Sequence, residues 1–107
     1  MELDQYSIVL VNLDPVSGSE SGKIRPCVIL SPNEMNRHLR TIVIAPMTST
    51  LKNYPTRVRV QHNNQEGRIA IDQIRTIDKQ RIIKVLGSLQ GSEVSQCKKV
   101  MSEAFID

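Results

Sequence analysis

The chain has 107 residues, which is room for one hydrophobic core, and we expect a single domain over residues 1–107. Its 14 Lys and Arg exceed its 11 Asp and Glu by only three charges, too few to identify a polyanion-binding protein from net charge alone. No apolar run of membrane-spanning length and no signal-peptide pattern occurs, so we expect a soluble, cytoplasmic protein without membrane contact.

Twelve isoleucines and ten valines favour a β-rich core, because β-branched side chains suit the pleated surface of a sheet. Short helical turns are predicted at 32–39 and 78–81, and a loop of small residues at Val16–Gly22. Apolar runs and alternation predict six strands, at Tyr6–Leu13, Arg25–Leu30, Thr41–Met47, Thr56–Gln61, Arg68–Ile77 and Ile82–Leu89.

The C-terminal segment changes to a helical period. Ser92 is the expected cap, and Glu93 in the first turn favours the helix dipole. Six residues form the expected apolar face of this helix: Val94, Cys97, Val100, Met101, Ala104 and Phe105. Several short strands followed by one helix predict a mainly β, α+β fold, in which a strongly bent antiparallel sheet or open barrel is closed by the terminal helix.

Charge is unevenly distributed along the chain. The segment 35–65 contains no acidic residue and five basic ones, whereas the rest carries nine basic and eleven acidic residues. A phosphate-facing surface and an ordinary solvated strand face both fit this pattern. The five basic residues are Arg37, Arg40, Lys52, Arg57 and Arg59.

Several classes of site find no support in the sequence. There is no phosphate-binding glycine loop, no His-Glu-x-x-His, no Cys-x-x-Cys and no carboxylate cluster, so we expect neither a metal nor a cofactor. Cys27 and Cys97 are expected to be reduced core thiols. His38 and His62 fall in predicted turns, and we expect them at the surface. Three aromatic residues argue against a base-stacking platform.

Polar groups at strand ends remain as candidates. Arg25 precedes Pro26, whose ring forces an extended backbone and so fixes the arginine at a strand start. Metal-free RNA cleavage by a neighbouring 2′-hydroxyl needs groups that orient the phosphate and stabilise its charge, for which an arginine fork and a hydroxyl are suited. Arg25 could equally be paired with Glu20 or Asp72, and Thr48 could be an ordinary turn residue. The candidates are Ser19, Glu20, Arg25, Thr48, Ser49, Asp72 and Gln73.

Three blocks of the chain resemble the MazF/PemK (Kid-type) toxins of bacterial toxin-antitoxin systems. They are Ile8–Pro15 running on to Gly18-Ser-Glu20 and Arg25-Pro26, Val43–Thr48, and Asp72–Lys79 with Arg81. The resemblance implies a toxin that is a metal-independent, sequence-specific endoribonuclease, cutting single-stranded mRNA to a 2′,3′-cyclic phosphate and a 5′-hydroxyl. It also implies a barrel like that of Src-homology-3 domains, a homodimer, and an acidic antitoxin of the MazE/PemI kind that covers the RNA groove.

The resemblance also implies roles for individual residues. Arg25 and Thr48 fall on the family's catalytic pair, and Ser19, Glu20, Asp72 and Gln73 fall where members contact or orient RNA. Ser49, which follows Thr48 at the end of the third predicted strand, is expected to bind RNA as well. Two departures matter, since some relatives have a histidine where this chain has Ser19 and an arginine where it has Ala70. An acid–base scheme that uses those two groups cannot operate here, which leaves Arg25 and Thr48 as the working pair.

Two other functions fit the same fold. CcdB-type toxins do no chemistry and poison DNA gyrase by binding it, in which case Arg25 and Thr48 would be idle. A non-catalytic RNA-binding module would retain RNA without cutting it, with an affinity that falls steeply as salt rises.

Overall fold

A computed structural model of the chain describes residues 2–13 and 24–106. The predicted loop Val16–Gly22 lies outside this part. The elements described follow the order β1 (Ser7–Asn12), β2 (Ile24–Ile29), α1 (Asn33–His38), β3 (Thr41–Thr48), β4 (Arg57–His62), β5 (Gln65–Ala70), β6 (Arg75–Asp78), β7 (Ile82–Ser88) and α2 (Gly91–Phe105). None of the helices in these two ranges is long and apolar enough to cross a membrane.

The strands form one antiparallel sheet in the order β4-β5-β3-β2-β1-β7, and β6 pairs with β3. The first half of β3 pairs with β6, from Thr41 opposite Asp78 to Ile44 opposite Arg75. The end of β3 pairs with β5, through Met47 opposite Ile69 and Thr48 opposite Arg68. The sheet therefore bends around β3, in agreement with the strongly bent antiparallel sheet that the sequence predicts.

The central strands are buried on both faces, because their side chains alternate between two apolar layers. Ile8, Val28 and Ala45 face the layer that also holds Cys97 and Val100 of α2. The other layer packs on the opposite face and consists of Val9, Val11, Cys27, Ile29, Ile42, Ile44, Ile77 and Ile82. Both cysteines are buried free thiols, as expected.

Three details of the predicted elements are wrong. The long strand Arg68–Ile77 is broken by a 3₁₀ turn at Ile71–Gln73, so β5 and β6 pair with different halves of β3. Between the strands predicted at Thr56–Gln61 and Arg68–Ile77 the sequence predicts a turn cluster, His62–Gly67. The turn between β4 and β5 instead consists of Asn63 and Asn64 alone, both at positive φ (53° and 63°), the conformation that tight hairpins require and asparagine tolerates. The third is the N-terminal cap of α2.

Helix α2 is capped by Gln90, not Ser92. The backbone N–H of Gln90 donates to Glu93 Oε1 at 2.8 Å, and the side chain of Gln90 accepts the backbone N–H of Glu93, which completes a capping box. The apolar face is also shorter than expected, because Ala104 and Phe105 are exposed.

Candidate active site

Arg25 and Thr48 come together at the open end of the β2–β3 ladder. The last recorded pair is Cys27 opposite Pro46, and the same antiparallel register continued by two residues places Arg25 opposite Thr48. Both side chains line the same two neighbouring clefts. The two strands therefore present a guanidinium and a hydroxyl to one region of surface.

The first cleft, of about 380 Å³, lies between this strand end and the β4–β5 hairpin. Its lining is completed by residues of β2, β3 and the hairpin, namely Ile24, Pro26, Met47, Ser49, His62, Gln65, Glu66 and Gly67. The second cleft, of about 290 Å³, lies on the other side of Arg25 and Thr48. It is completed by Pro46, Thr50, Lys52, Tyr54, Arg57, Ala70 and Gln73.

The structure bears on the two alternative roles left open above, an ion pair for Arg25 and a turn position for Thr48. Arg25 makes no ion pair with any residue in the described ranges. Thr48 is the last residue of β3 rather than a turn residue, and its Oγ1 accepts the backbone N–H of Thr50 at 3.1 Å. Among the described residues, neither the Arg25 guanidinium nor the Thr48 hydroxyl proton therefore has an acceptor to which it donates a hydrogen bond.

The backbone carbonyl group of Arg25 accepts a hydrogen bond from a neutral thiol. The Sγ of Cys27 donates to the carbonyl oxygen of Arg25 at 3.6 Å. Burial raises the pKa of the Cys27 thiol to about 12, so this sulfur keeps its proton and remains a donor at neutral pH.

Asp72 is committed to an ion pair with a different arginine. Its Oδ1 accepts from Arg57 Nε at 2.8 Å and from Thr56 Oγ1 at 3.0 Å, and its Oδ2 accepts from Arg57 Nη2 at 3.3 Å. The hydrogen bond from Arg57 lowers the pKa of the Asp72 carboxyl, so the pair is charged at neutral pH. Asp72 lines neither cleft, whereas its partner Arg57 lines the second one.

The other predicted site residues are distributed as follows. Ser49 lies in the first cleft and Gln73 in the second. Ser19 and Glu20 lie outside the described residues. Of the five basic residues in the segment 35–65, only Lys52 and Arg57 line either cleft. Within the described residues no group of three or more His, Cys, Asp or Glu could hold a metal ion.

His62 and Glu66 are cleft residues that the sequence did not reveal. His62 was expected at the surface, yet it ends β4 and its Nε2 is buried without a hydrogen-bond partner. A Cβ on Gly87 would stand 3.3 Å from its Cε1, so the ring sits where the two edge strands β4 and β7 approach each other. The hairpin register that places it there depends on the two-residue turn, which sequence composition did not specify.

Glu66 is held by two arginines. Arg68 Nη1 donates to its Oε2 at 2.8 Å, and Arg59 Nε lies 3.4 Å from the same oxygen. The hydrogen bond from Arg68 lowers the pKa of the Glu66 carboxyl, which makes this carboxylate a weak proton acceptor. Arg68 in turn donates to Asn53 Oδ1 at 3.0 Å, so the hairpin is tied to the loop that follows β3.

Comparison with known proteins gives one consistent result. The protein-family model described as "PemK-like, MazF-like toxin of type II toxin-antitoxin system" matches residues 4–105 of this chain. The Endoribonuclease MazF of Staphylococcus saprophyticus is 32% identical over 95 residues, which cover 83% of this chain and 79% of that protein.

Solved structures agree with the sequence comparison. A chain in the crystal structure of MazE-MazF from Deinococcus radiodurans superposes with a TM-score of 0.85 at 26% identity, covering 100% of this chain and 99% of that one. The Mycobacterium tuberculosis toxin MazF-mt6 superposes with a TM-score of 0.78, also at 26% identity, covering 92% and 95%. The predicted fold class, a mainly β, α+β fold in which a strongly bent antiparallel sheet is closed by a C-terminal helix, is confirmed, and the sheet forms a curled half-barrel.

Proposed function

The chain belongs to the PemK-like, MazF-like toxins of type II toxin-antitoxin systems, and from this premise we propose that it is an endoribonuclease that cleaves single-stranded mRNA without a metal ion. The observation that carries the proposal is the meeting of Arg25 and Thr48 at the end of the β2–β3 ladder, where both line the two clefts. The relative named Endoribonuclease MazF supports the same reaction class.

In the proposed reaction the 2′-hydroxyl oxygen attacks the adjacent phosphorus while the bond from phosphorus to the 5′-oxygen breaks. The 2′-hydroxyl proton passes to a general base and a proton reaches the departing 5′-oxygen, which leaves a 2′,3′-cyclic phosphate and a 5′-hydroxyl. The guanidinium of Arg25 stabilises the charge on the non-bridging oxygens and donates toward the leaving oxygen, and the Thr48 hydroxyl holds a non-bridging oxygen.

The general base is the unassigned role. Glu66 lines the first cleft, but its carboxyl is stabilised as the ion by Arg68 and Arg59. Glu20 is our candidate, and it lies outside the described residues. Ser19 and Glu20, together with Ser49, Asp72 and Gln73, complete the set that we propose contacts or orients RNA.

We further propose a cytoplasmic homodimer and an acidic antitoxin partner. The second cleft is lined by Arg25 and Lys52, neither of which forms an ion pair among the described residues, and by Arg57, which is paired with Asp72. An acidic peptide and the phosphates of RNA would therefore compete for the charges of Arg25 and Lys52. The crystal structure of MazE-MazF from Deinococcus radiodurans supports a toxin that assembles with an antitoxin. Simultaneous binding of antitoxin and RNA with full cleavage would contradict this competition.

The test is incubation of the purified protein with a long single-stranded RNA in EDTA, followed by mapping of the ends. We expect cuts at one short sequence with cyclic phosphate ends, and we expect Arg25→Ala to lose on the order of a hundredfold or more in rate. Arg37→Ala is the matched control, because Arg37 belongs to the same basic segment but borders a different groove, beside α1. Intact RNA with gyrase-linked DNA breaks would instead identify a gyrase poison, and RNA binding without cleavage would identify a non-catalytic binding module.

A further inference from the structure

Tyr54 is an exposed aromatic side chain placed inside the candidate site. Its residue is 48% exposed, and it lines the second cleft together with Arg25 and Thr48. We propose that the Tyr54 ring is a stacking platform for one base of the substrate, next to the scissile phosphate, and that it helps set which sequence is cut. The inference rests on the proposed function, because it takes single-stranded RNA as the ligand.

The ring is fixed on its protein side. Pro55 follows Tyr54 and restricts its backbone to extended conformations, while the Tyr54 carbonyl oxygen accepts the backbone N–H of Arg57 at 3.0 Å. The guanidinium carbon of Arg57 lies 5.3 Å from the ring centroid, and the Arg57 side chain is only 11% exposed. Asp72 accepts two hydrogen bonds from that guanidinium, and Thr56 Oγ1 donates to the same carboxylate, so the Arg57 side of the platform is in place before any ligand arrives.

The ring also makes a contact that a ligand can replace. Lys52 is exposed, and its Nζ lies 5.9 Å from the ring centroid. An exposed cation–π contact of this kind is worth roughly two- to fivefold in an equilibrium. A base stacked on an aromatic ring is worth roughly 5- to 150-fold in affinity. A base can therefore displace the Lys52 ammonium, which is then free to contact a neighbouring phosphate.

The surroundings of Tyr54 match this chemistry, and the ring is not part of the hydrophobic core. Tyr54 belongs to neither core cluster, and no hydrogen bond of its hydroxyl is recorded among the described residues. Ala70 and Gln73 line the same cleft, so a small side chain leaves room and an amide is available to a base edge. Arg25 lines the same cleft and supplies the phosphate contact in the proposed reaction, so the stacked base belongs to a nucleotide close to the cut.

The composition of the chain argued against stacking, because it has only three aromatic residues. One ring is nevertheless sufficient when it lies beside the reacting phosphate. Tyr6 packs against the core, and Phe105 lies exposed near the end of α2 and lines neither cleft. Among the described residues, Tyr54 is thus the single Phe, Tyr or Trp side chain that lines either cleft, and the imidazole of His62 lines only the first one.

The experiment pairs changes in the protein with changes in the RNA. The cut site is first mapped on a long RNA with the parent protein. Oligoribonucleotides spanning that site then carry a 2′-deoxy nucleotide in place of the attacking one, and an abasic nucleotide at each neighbouring position in turn. Affinity is measured by fluorescence anisotropy for the parent, Tyr54→Phe and Tyr54→Ala, with circular dichroism to verify folding. Leu51→Ala is the control, since Leu51 is an exposed apolar residue of the same loop that lines neither cleft.

We expect one position at which the abasic nucleotide weakens binding to the parent and to Tyr54→Phe by roughly 5- to 150-fold. Tyr54→Ala should weaken binding of the intact RNA by the same factor and show no further loss with the abasic RNA, whereas Leu51→Ala should match the parent. If the parent cleaves RNA but Tyr54→Ala binds every oligonucleotide as the parent does, the platform is refuted and the proposed function stands. If the parent neither binds nor cleaves RNA, both are refuted.

Discussion

Asp72→Asn tests whether the carboxylate acts on RNA directly or through Arg57. The carboxylate accepts two hydrogen bonds from Arg57, at 2.8 and 3.3 Å, and one from Thr56 at 3.0 Å. Hydrogen bonds to charged groups are worth about 1.5–3 kcal/mol when shielded from water. The Asp72 side chain is 36% exposed, so solvent screening reduces the expected loss to about 1 kcal/mol of unfolding free energy at pH 7.

The pH dependence of this loss has a definite sign. The hydrogen bond from Arg57 lowers the pKa of Asp72 from its ordinary value of 3.8. A carboxyl with a lowered pKa in the folded state adds stability that is complete above its unfolded pKa and is lost as the pH falls through the folded pKa. The difference in stability between parent and Asp72→Asn should therefore be constant from pH 7 to about pH 5 and shrink below pH 3.8.

Urea unfolding followed by circular dichroism measures both quantities, and a double-mutant cycle with Arg57→Gln isolates the pair. We expect a coupling of about 1 kcal/mol at neutral pH. For RNA, Asp72→Asn should weaken binding and leave the cleavage rate at saturating RNA unchanged, and it should add nothing in the Arg57→Gln background. A coupling near zero, or a further loss of RNA affinity in that background, would show that Asp72 does not act through Arg57.

Two further substitutions test how the site is supported. A Cβ at Gly67 would stand 3.0 Å from the carbonyl oxygen of Thr48. Gly67→Ala should therefore lower the free energy of unfolding in urea by about 1–3 kcal/mol and slow single-turnover cleavage. Cleavage at the parent rate would show that the reaction does not depend on the position of Thr48. Glu93 is buried and accepts the backbone N–H groups of Gln61 and Gln90, each at 2.8 Å. Glu93→Ala should cost about 2–4 kcal/mol, with partial rescue by Glu93→Gln, and a loss under 1 kcal/mol would contradict the role of this carboxylate in tying α2 to β4.

The elements that depend on local pattern could be predicted from the sequence. The alternation at 56–61 located β4 to within one residue, since one face of a half-buried strand repeats every second residue. The cap of α2 could have been found as well. A glutamate three residues into a helix reaches back to the residue before it, and Glu93 therefore identifies Gln90 rather than Ser92.

The break between β5 and β6 could not be found in this way. The run from Arg68 to Ile77 is apolar enough for one strand, and its periodicity does not say which partner each half will meet. The bend of the sheet makes β5 pair with the end of β3 and β6 with its beginning. Tertiary pairing decided the break, and it moved Asp72 and Gln73 from a strand to a turn.

The position of the candidate site follows from where hydrogen bonding between β2 and β3 stops. Pro26 and Pro46 lack backbone N–H groups, and the recorded ladder ends at Cys27 opposite Pro46. Arg25 and Thr48 lie two residues further along the same register, where β3 has already turned to pair with β5. Arg25 and Thr48 thus belong to two strands that are no longer hydrogen-bonded to each other at this point, and the two clefts that both residues line lie here. The proline after Arg25 therefore has two effects: it keeps the backbone of the arginine extended, and it removes a hydrogen-bond donor from the strand at the point where the pairing of β2 with β3 ends.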